Sequence, residues 1–276
     1  MVATVAACRG QVPEQAISPP TPRPEPVADT PGSWVLHPGS LAREYRVAQR
    51  ARVTVTLDSV GPQADSTSIV VEASVRNVPP SGFSGLLRSA TVVAFGAGPA
   101  AFSGIVFPYA FTSTDQRPGV QSSLTGRVVS ADPCASPAQV PLGVVRDVFV
   151  HAPDSLSLGR EWSDSGAFPA CRDGVRLEVS SRRRFTVTGY ERLAGAGVLH
   201  VTRTDSTLFR GLSVRGDDTT RVYGSGTSVL RYLLDATTGD VLSASGTGSL
   251  DIVVRGALKS QRAHQTNAVR VLLRAP

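Results

Sequence analysis

The clearest pattern lies in residues 174–274. Between Gly174 and Gly189, Val175, Leu177, Val179, Phe185 and Val187 fall on one parity, and Arg176, Glu178, Ser180, Arg182 and Arg184 on the other. A period of two predicts a strand with one buried and one wet face. Ser181 and Arg183 interrupt the apolar row, which predicts a bend or bulge there. Further strands are predicted over 198–204, 208–215, 221–234, 241–255 and 269–273. Their connections are read as Gly195-Ala196-Gly197, Asp205-Ser206-Thr207, Gly216-Asp217-Asp218 and the hairpin Asp235-Ala236-Thr237-Thr238-Gly239-Asp240. β-branched residues dominate these runs, so the region is expected to be an antiparallel meander. Gly224, Gly226, Gly246 and Gly248 sit inside strand-like sequence, and the two pairs are expected to face each other across the ladder. Strong bending of the sheet is one reading of them; a ligand lying on bare backbone is the other.

The preceding sequence repeats the theme more loosely. Tyr45, Val47, Ala51, Val53, Val55 and Leu57 alternate with polar residues, and strands are expected at 69–78, 86–95, 105–111 and 124–130. The 86–95 run reads equally as a short helix, because apolar length alone does not decide. Arg52-Val53-Thr54-Val55-Thr56 echoes Arg184-Phe185-Thr186-Val187-Thr188, and Asp65-Ser66-Thr67 echoes Asp205-Ser206-Thr207, which suggests an internal duplication. Residues 131–173 are read as a connector, with an edge strand at 145–150 and Trp162 either anchored under the sheet or stacking a ligand. The expected fold class is mainly β: long antiparallel meander sheets, as a curved half-barrel or two packed sheets, with few short helices. The expected segments are 1–8, 9–42, 43–130, 131–173 and 174–276.

Composition narrows the class. The chain has 276 residues, 41% of them hydrophobic, 18% charged and 6% aromatic. That is enough apolar content for a core. No apolar run reaches 18 residues, so no membrane-spanning helix is expected. The net charge of +6 is carried by arginine, Lys259 being the only lysine. Neither a basic stripe with stacking aromatics nor a recognised motif is found, which argues against nucleic acid. The dense cluster Arg182-Arg183-Arg184 is read as a solvated strand face or as a patch for an anionic headgroup or acidic partner.

Residues 1–8 end in Val5-Ala6-Ala7-Cys8, which resembles the bacterial lipobox, whose cysteine is acylated. A proline-rich run containing Pro19-Pro20-Thr21-Pro22-Arg23-Pro24-Glu25-Pro26 follows and is expected to be an extended tether. With Cys8 used by lipid, Cys134 and Cys171 remain as an even pair that an oxidising compartment would join; two free buried cysteines are the alternative. Metal binding is not expected, since no CxxC or zinc-type histidine spacing occurs. With this N-terminus, and with Tyr232, Asp235, Gly239 and Val241 around the hairpin, the chain resembles bacterial envelope lipoproteins of half-barrel type. Among them are the localisation-of-lipoprotein carriers and the mycobacterial lipoglycan carriers. That resemblance implies a curved sheet around a hydrophobic cavity. No cofactor is expected.

Catalytic chemistry is not legible. His37, His151, His200 and His264 lack a nucleophile or carboxylate in a catalytic spacing. Glu161 with Asp164, and Asp217 with Asp218, are the nearest to paired carboxylates, and both are read as turns. The expectation is an exported, periplasmic or outer-envelope protein, lipid-anchored at Cys8 and not an enzyme. Two functions stay open. One is a carrier of an apolar ligand lined by Gly224, Gly226, Leu230, Gly246 and Gly248. The other is an accessory subunit bracing an envelope complex through its sheet face or edge, with a filled core and exposed apolar side chains. A transmembrane β-barrel would need aromatic girdles that so few aromatics supply poorly.

Overall fold

A computed structural model describes residues 32–39, 41–57, 60–78, 82–94, 100–101, 105–113, 124–126, 134–135, 138–148, 150–172, 174–215, 218–256 and 260–274. Residues 1–31, Cys8 included, lie outside them, as does Lys259; the end of the 9–42 segment read as a tether is instead structured, with Trp34–Val35 a strand and Trp34 and Leu36 buried where apolar side chains find a core. The strands are β1 (Trp34–Val35), β2 (Arg43–Leu57), β3 (Val60–Val78), β4 (Gly82–Ala94), β5 (Ala100–Ala101), β6 (Tyr109–Ser113), β7 (Leu124–Gly126), β8 (Ser155–Leu156), β9 (Glu161–Arg172), β10 (Val175–Leu193), β11 (Ala196–Arg215), β12 (Asp218–Asp235), β13 (Val241–Arg255) and β14 (Ser260–Leu273). Among the described residues there is one α-helix, α1 (Gln139–Val145), which runs into a 3-10 turn at Arg146–Val148.

The protein is mainly β, as the period of two predicts. One antiparallel sheet has the order β7-β6-β4-β3-β2-β14-β13-β12-β11-β10-β9, and it is not closed. The 43–130 and 174–276 segments therefore share a single sheet, joined where β14 pairs with β2. The Asp235–Asp240 hairpin forms as expected. Asp235 Oδ1 accepts hydrogen bonds from the amides of Thr237 and Thr238, and Gly239 takes a φ of 75° that favours glycine.

Several local expectations change. Asp205-Ser206-Thr207 is not a turn: β11 runs through it unbroken, paired with β10 and β12 on both sides. Two-sided pairing satisfies the backbone and overrides the triplet's local turn preference. The bulge in β10 falls between Val187 and Gly189, not at Ser181 to Arg183. The 86–95 run is strand, in β4. The stretch read as a connector supplies β9, a full edge strand paired with β10 along twelve residues. Within the expected edge strand at 145–150, residues 145–148 are instead the end of α1 and the 3-10 turn. Pro141 in the helix's first turn costs no hydrogen bond. The Asp-Ser-Thr triplets occupy mid-strand positions in β3 and β11.

Residues from both ends of the sheet order enter one core. Leu87 and Phe111 join Phe185, Val187, Leu199 and Tyr232 in a cluster with Leu142, Val145 and Val148 of the helical segment. For that to happen the sheet must curl around residues 138–148 and 150–156. Trp34 and Leu36 enter the same cluster, with Trp34 lying 5.0 Å from the Tyr190 ring. Leu36 also donates its amide to Asp154 O. On the same face of β10 to β13, a second cluster forms from Val175, Leu177, Val179, Phe209, Val222 and Ile252.

Candidate functional site

Between the two apolar clusters the inward parity turns polar. On β10 the inward row reads Val179, Ser181, Arg183, Phe185; on β11 it reads Val201, Arg203, Asp205, Thr207, Phe209. The ladder register aligns these rows: Arg183 pairs with Asp205 and with Asp164, and Ser181 with Thr207 and Gly166. A polar belt thus crosses the inner face.

The belt's charges answer one another. Arg183 Nε and Nη2 donate to the two carboxylate oxygens of Asp164 at 2.6 and 2.7 Å, with both side chains more than nine-tenths buried. This is the fork-on-fork geometry that makes arginine–carboxylate pairs strong. Arg203 Nη2 donates to Asp147 Oδ1 at 2.7 Å and to Asp205 Oδ2 at 2.8 Å, while Nη1 donates to Tyr232 Oη. Ser228 Oγ donates to Asp205 Oδ2 at 2.6 Å, and Tyr232 Oη to the carbonyl of Asp147 at 3.0 Å. Asp147 sits on the 3-10 turn, so the network pins the inner segment to the sheet. Burial first, then the neighbouring Asp147 and Asp205, pushes the Tyr232 hydroxyl well above its ordinary pKa, even though Arg203 and Arg183 pull it down. Burial opposes charge on Arg203, but Tyr232, Asp147 and Asp205 more than offset it, so its pKa lies above the usual value. Arg146, Asp147, Arg183, Arg203 and Asp205 line a cavity of about 170 Å³, large enough for a few water molecules.

The belt's carboxylates each face a guanidinium, and the hydroxyl held there, that of Ser228, bonds a carboxylate already engaged by Arg203. His200 Nε2 meets Glu191 at 3.0 Å and His264 Nδ1 meets Asp251 at 2.8 Å, both at the surface. Neither ring bonds a serine, threonine or cysteine side chain among the described residues. His151 is buried, 4.8 Å from the Phe83 ring. No three His, Cys, Asp or Glu side chains cluster as a metal site among the described residues.

The predicted site residues separate. Gly224 and Gly226 do not face Gly246 and Gly248: the register sets them opposite Ile252 and Leu250, and sets Gly246 and Gly248 opposite Leu230 and Ser228. A Cβ on Gly224 would meet the Phe209 ring, one on Gly226 the Leu250 side chain, and one on Gly246 the backbone and side chain of Leu230. The protein's own side chains fill the space over these glycines, so close packing, not bare backbone for a ligand, requires them. Leu230 is buried in the core. Arg182-Arg183-Arg184 is not one patch, because Arg183 points inward while Arg182 and Arg184 are exposed. The carboxylates Glu161 and Asp164 separate in the same way, Asp164 inward and Glu161 at the surface; of the other pair, Asp218 is exposed and Asp217 lies outside the described residues. Trp162 stacks on Phe185 at 4.9 Å with a 5° interplanar angle, an internal anchor. Cys134 and Cys171 form a disulfide.

Sequence reasoning missed the belt. The available signal was phase: Arg183, Arg203 and Asp205 fall on the parity of the core residues around them, where a charge must be paired.

The outer parity is different. Arg50, Arg52, Arg182, Arg184, Arg231 and Arg270 are exposed on it, with Leu208, Leu212, Val214 and Val229. Two grooves open to solvent lie there. One, of about 630 Å³, has Arg231, Arg270 and His200 in its walls; the other, of about 570 Å³, has Arg50, Arg52 and Thr227.

The chain matches no family model and no curated protein. Among solved structures, the loop-L8 deletion mutant of OmpT, an outer membrane protein of Vibrio cholerae, aligns over 83% of this chain and 99% of its own, at 9% identity and a TM-score of 0.27. Pseudomonas aeruginosa OccK2 in complex with glucuronate aligns over 86% and 100%, at 9% identity and a TM-score of 0.28. A triple mutant of the Rhodopseudomonas blastica porin aligns over 82% and 99%, at 12% identity and a TM-score of 0.27.

Proposed function

We propose that the protein is a non-catalytic cell-envelope protein that braces a membrane-associated assembly through the outer face and edges of its sheet. The observation that carries this reading is that the inside of the curl holds the chain's own Leu142, Val145, Val148, Leu156, Trp34 and Leu36, while arginines without an ion pair among the described residues and exposed aliphatic side chains lie outside. A carrier needs a ligand-sized interior space of several hundred Å³. The cavity at the polar belt is about 170 Å³ and walled by paired charges. The Cys134–Cys171 disulfide supports an oxidising, exported location, and the lipobox-like Val5-Ala6-Ala7-Cys8 supports an acyl anchor. Among the described residues the sheet ends at β7 and β9, which offer edges for strand pairing.

Native mass spectrometry of the protein drawn from its own envelope in gentle detergent tests this. Partner polypeptides at fixed stoichiometry, with an acyl-sized mass on Cys8, are the expected result. A dissociable lipid-sized mass with no partner would overturn the reading in favour of the carrier.

A further inference from the structure

We propose that the outer face between β10 and β2 docks on an anionic lipid bilayer. This deepens the reading that the outer face is the working surface. In three successive cross-strand rows, Arg182 and Arg184 stand on one side, Arg50 and Arg52 on the other, and Arg231 and Arg270 between them. The sides are five strand steps apart, about 24 Å along the sheet, and the rows span about 14 Å. Every other position in these rows, from β10 to β2, is Thr, Ser, Val or Ala, with no carboxylate. All six arginines are exposed, and among the described residues none makes an ion pair. Six like charges with no internal partner favour an external anion.

Two observations choose a bilayer over a soluble polyanion. First, the charges fill a two-dimensional field instead of tracking a line, which matches a plane of headgroups better than a single strand. No aromatic stands in the rows, as stacking of nucleic-acid bases would need. Second, the same face carries exposed aliphatic side chains: Val229 within the field, and Leu208, Leu212 and Val214 further along β11, at 46, 62, 56 and 64% exposure. Such side chains gain by entering the headgroup–acyl boundary and gain nothing from a hydrophilic polymer.

The test is vesicle flotation of the full chain carrying Cys8→Ser, so that no acyl group at that position contributes. Pure phosphatidylcholine vesicles are compared with equal mixtures of phosphatidylcholine and phosphatidylglycerol. The chain is expected to float with the mixed vesicles, weakly or not at all with the neutral ones, and less as salt is raised. Arg231→Gln with Arg270→Gln lowers the partition coefficient about 25-fold, at roughly five-fold per basic side chain near an anionic surface. Leu212→Ser with Val214→Ser lowers it while leaving the salt dependence unchanged. Arg210→Gln, whose guanidinium already pairs with Glu178 at 3.3 Å, changes it least. Equal binding to both vesicle types, or binding to neither, overturns the proposal. So does capture by dextran sulfate without flotation, which assigns the face to a soluble polymer. Fixed-stoichiometry partners without vesicle binding would remove the lipid assignment and leave the accessory reading standing.

Discussion

Three consecutive arginines on β10 meet two environments. Arg183 is buried and held by both oxygens of Asp164, and its neighbours Arg182 and Arg184 project from the other side of the sheet with no acidic partner among the described residues. The same contrast runs across the molecule. The inner belt sets Arg146, Arg183 and Arg203 beside Asp147, Asp164 and Asp205, and the outer rows set six arginines beside hydroxyl groups. A strand's period of two sorts identical side chains into opposite roles. Inside, desolvation makes an unpaired charge so costly that a partner is required. Outside, water and salt screen the repulsion, and the charges remain available to an external anion.

The largest expected effect breaks the inner side of this comparison. Asp164→Ala leaves Arg183 buried without its partner and is expected to cost about 3–5 kcal/mol in urea unfolding. Replacing the pair by Asp164→Leu with Arg183→Met should recover most of that loss, because removing both charges also removes their desolvation cost. If Asp164→Ala alone were as stable as the parent chain, the belt would be hydrated surface and the contrast would fail. Gly246→Ala is the next test. If the glycine were open for a ligand, a methyl group would be silent; packed against Leu230, it is expected to cost about 1–3 kcal/mol.

The sequence showed the sheet but not its pairings. Alternation around Val175, Phe185 and Val187 is a local signal, and it survives folding because each strand stays a strand. Asp205-Ser206-Thr207 misled because its turn preference is local, whereas what decides is pairing to β10 and β12. Arg183 looked like a break in the apolar row. Its meaning depends on Asp164, which is 19 residues away and brought opposite only by the β9–β10 register. The short, valine-rich helix α1 carries no helical period long enough to separate it from a strand, so the element that fills the curl was invisible. The outer field was equally hidden, since it assembles from β10, β12, β14 and β2.

A pH titration separates the faces through tyrosine. Tyr45 and Tyr232 are buried, and burial is the first cause of the upward pKa shift of both; in Tyr45 Asp240 adds to it. The folded state therefore holds these phenols protonated after the unfolded chain begins to release its protons near pH 10. Their contribution is fully present below pH 10 and is lost as pH rises beyond it, at about 1.4 kcal/mol per pH unit for each phenol kept protonated. Tyr45→Phe should flatten the slope of unfolding free energy against pH above 10 and leave it unchanged at pH 7. A stability that stays level from pH 9 to 11 in the parent chain would contradict the burial of both rings.

The smallest stability effect belongs to the outer arginines, and its smallness is the point. Arg182→Gln and Arg184→Gln remove exposed charges without ion-pair partners, so each is expected to change unfolding free energy by less than about 0.5 kcal/mol. The sign should favour the variant slightly at low salt, because each substitution removes like-charge repulsion from the field that includes Arg50, Arg52, Arg231 and Arg270. Raising the ionic strength should shrink that gain, since the arginines on β12, β14 and β2 stand two or more strand steps away, beyond the Debye length of about 8 Å at physiological salt, and only the Arg182–Arg184 repulsion acts within it. The same two substitutions should lower flotation with phosphatidylglycerol vesicles, each by roughly five-fold. Arg183, one residue from either, should behave in the opposite way: Arg183→Gln destabilises the fold and, wherever the chain remains folded, leaves flotation unchanged. If Arg182→Gln instead destabilised as strongly as Arg183→Gln, the exposed rows would have an internal structural role, and the division of labour between the two faces of β10 would be lost.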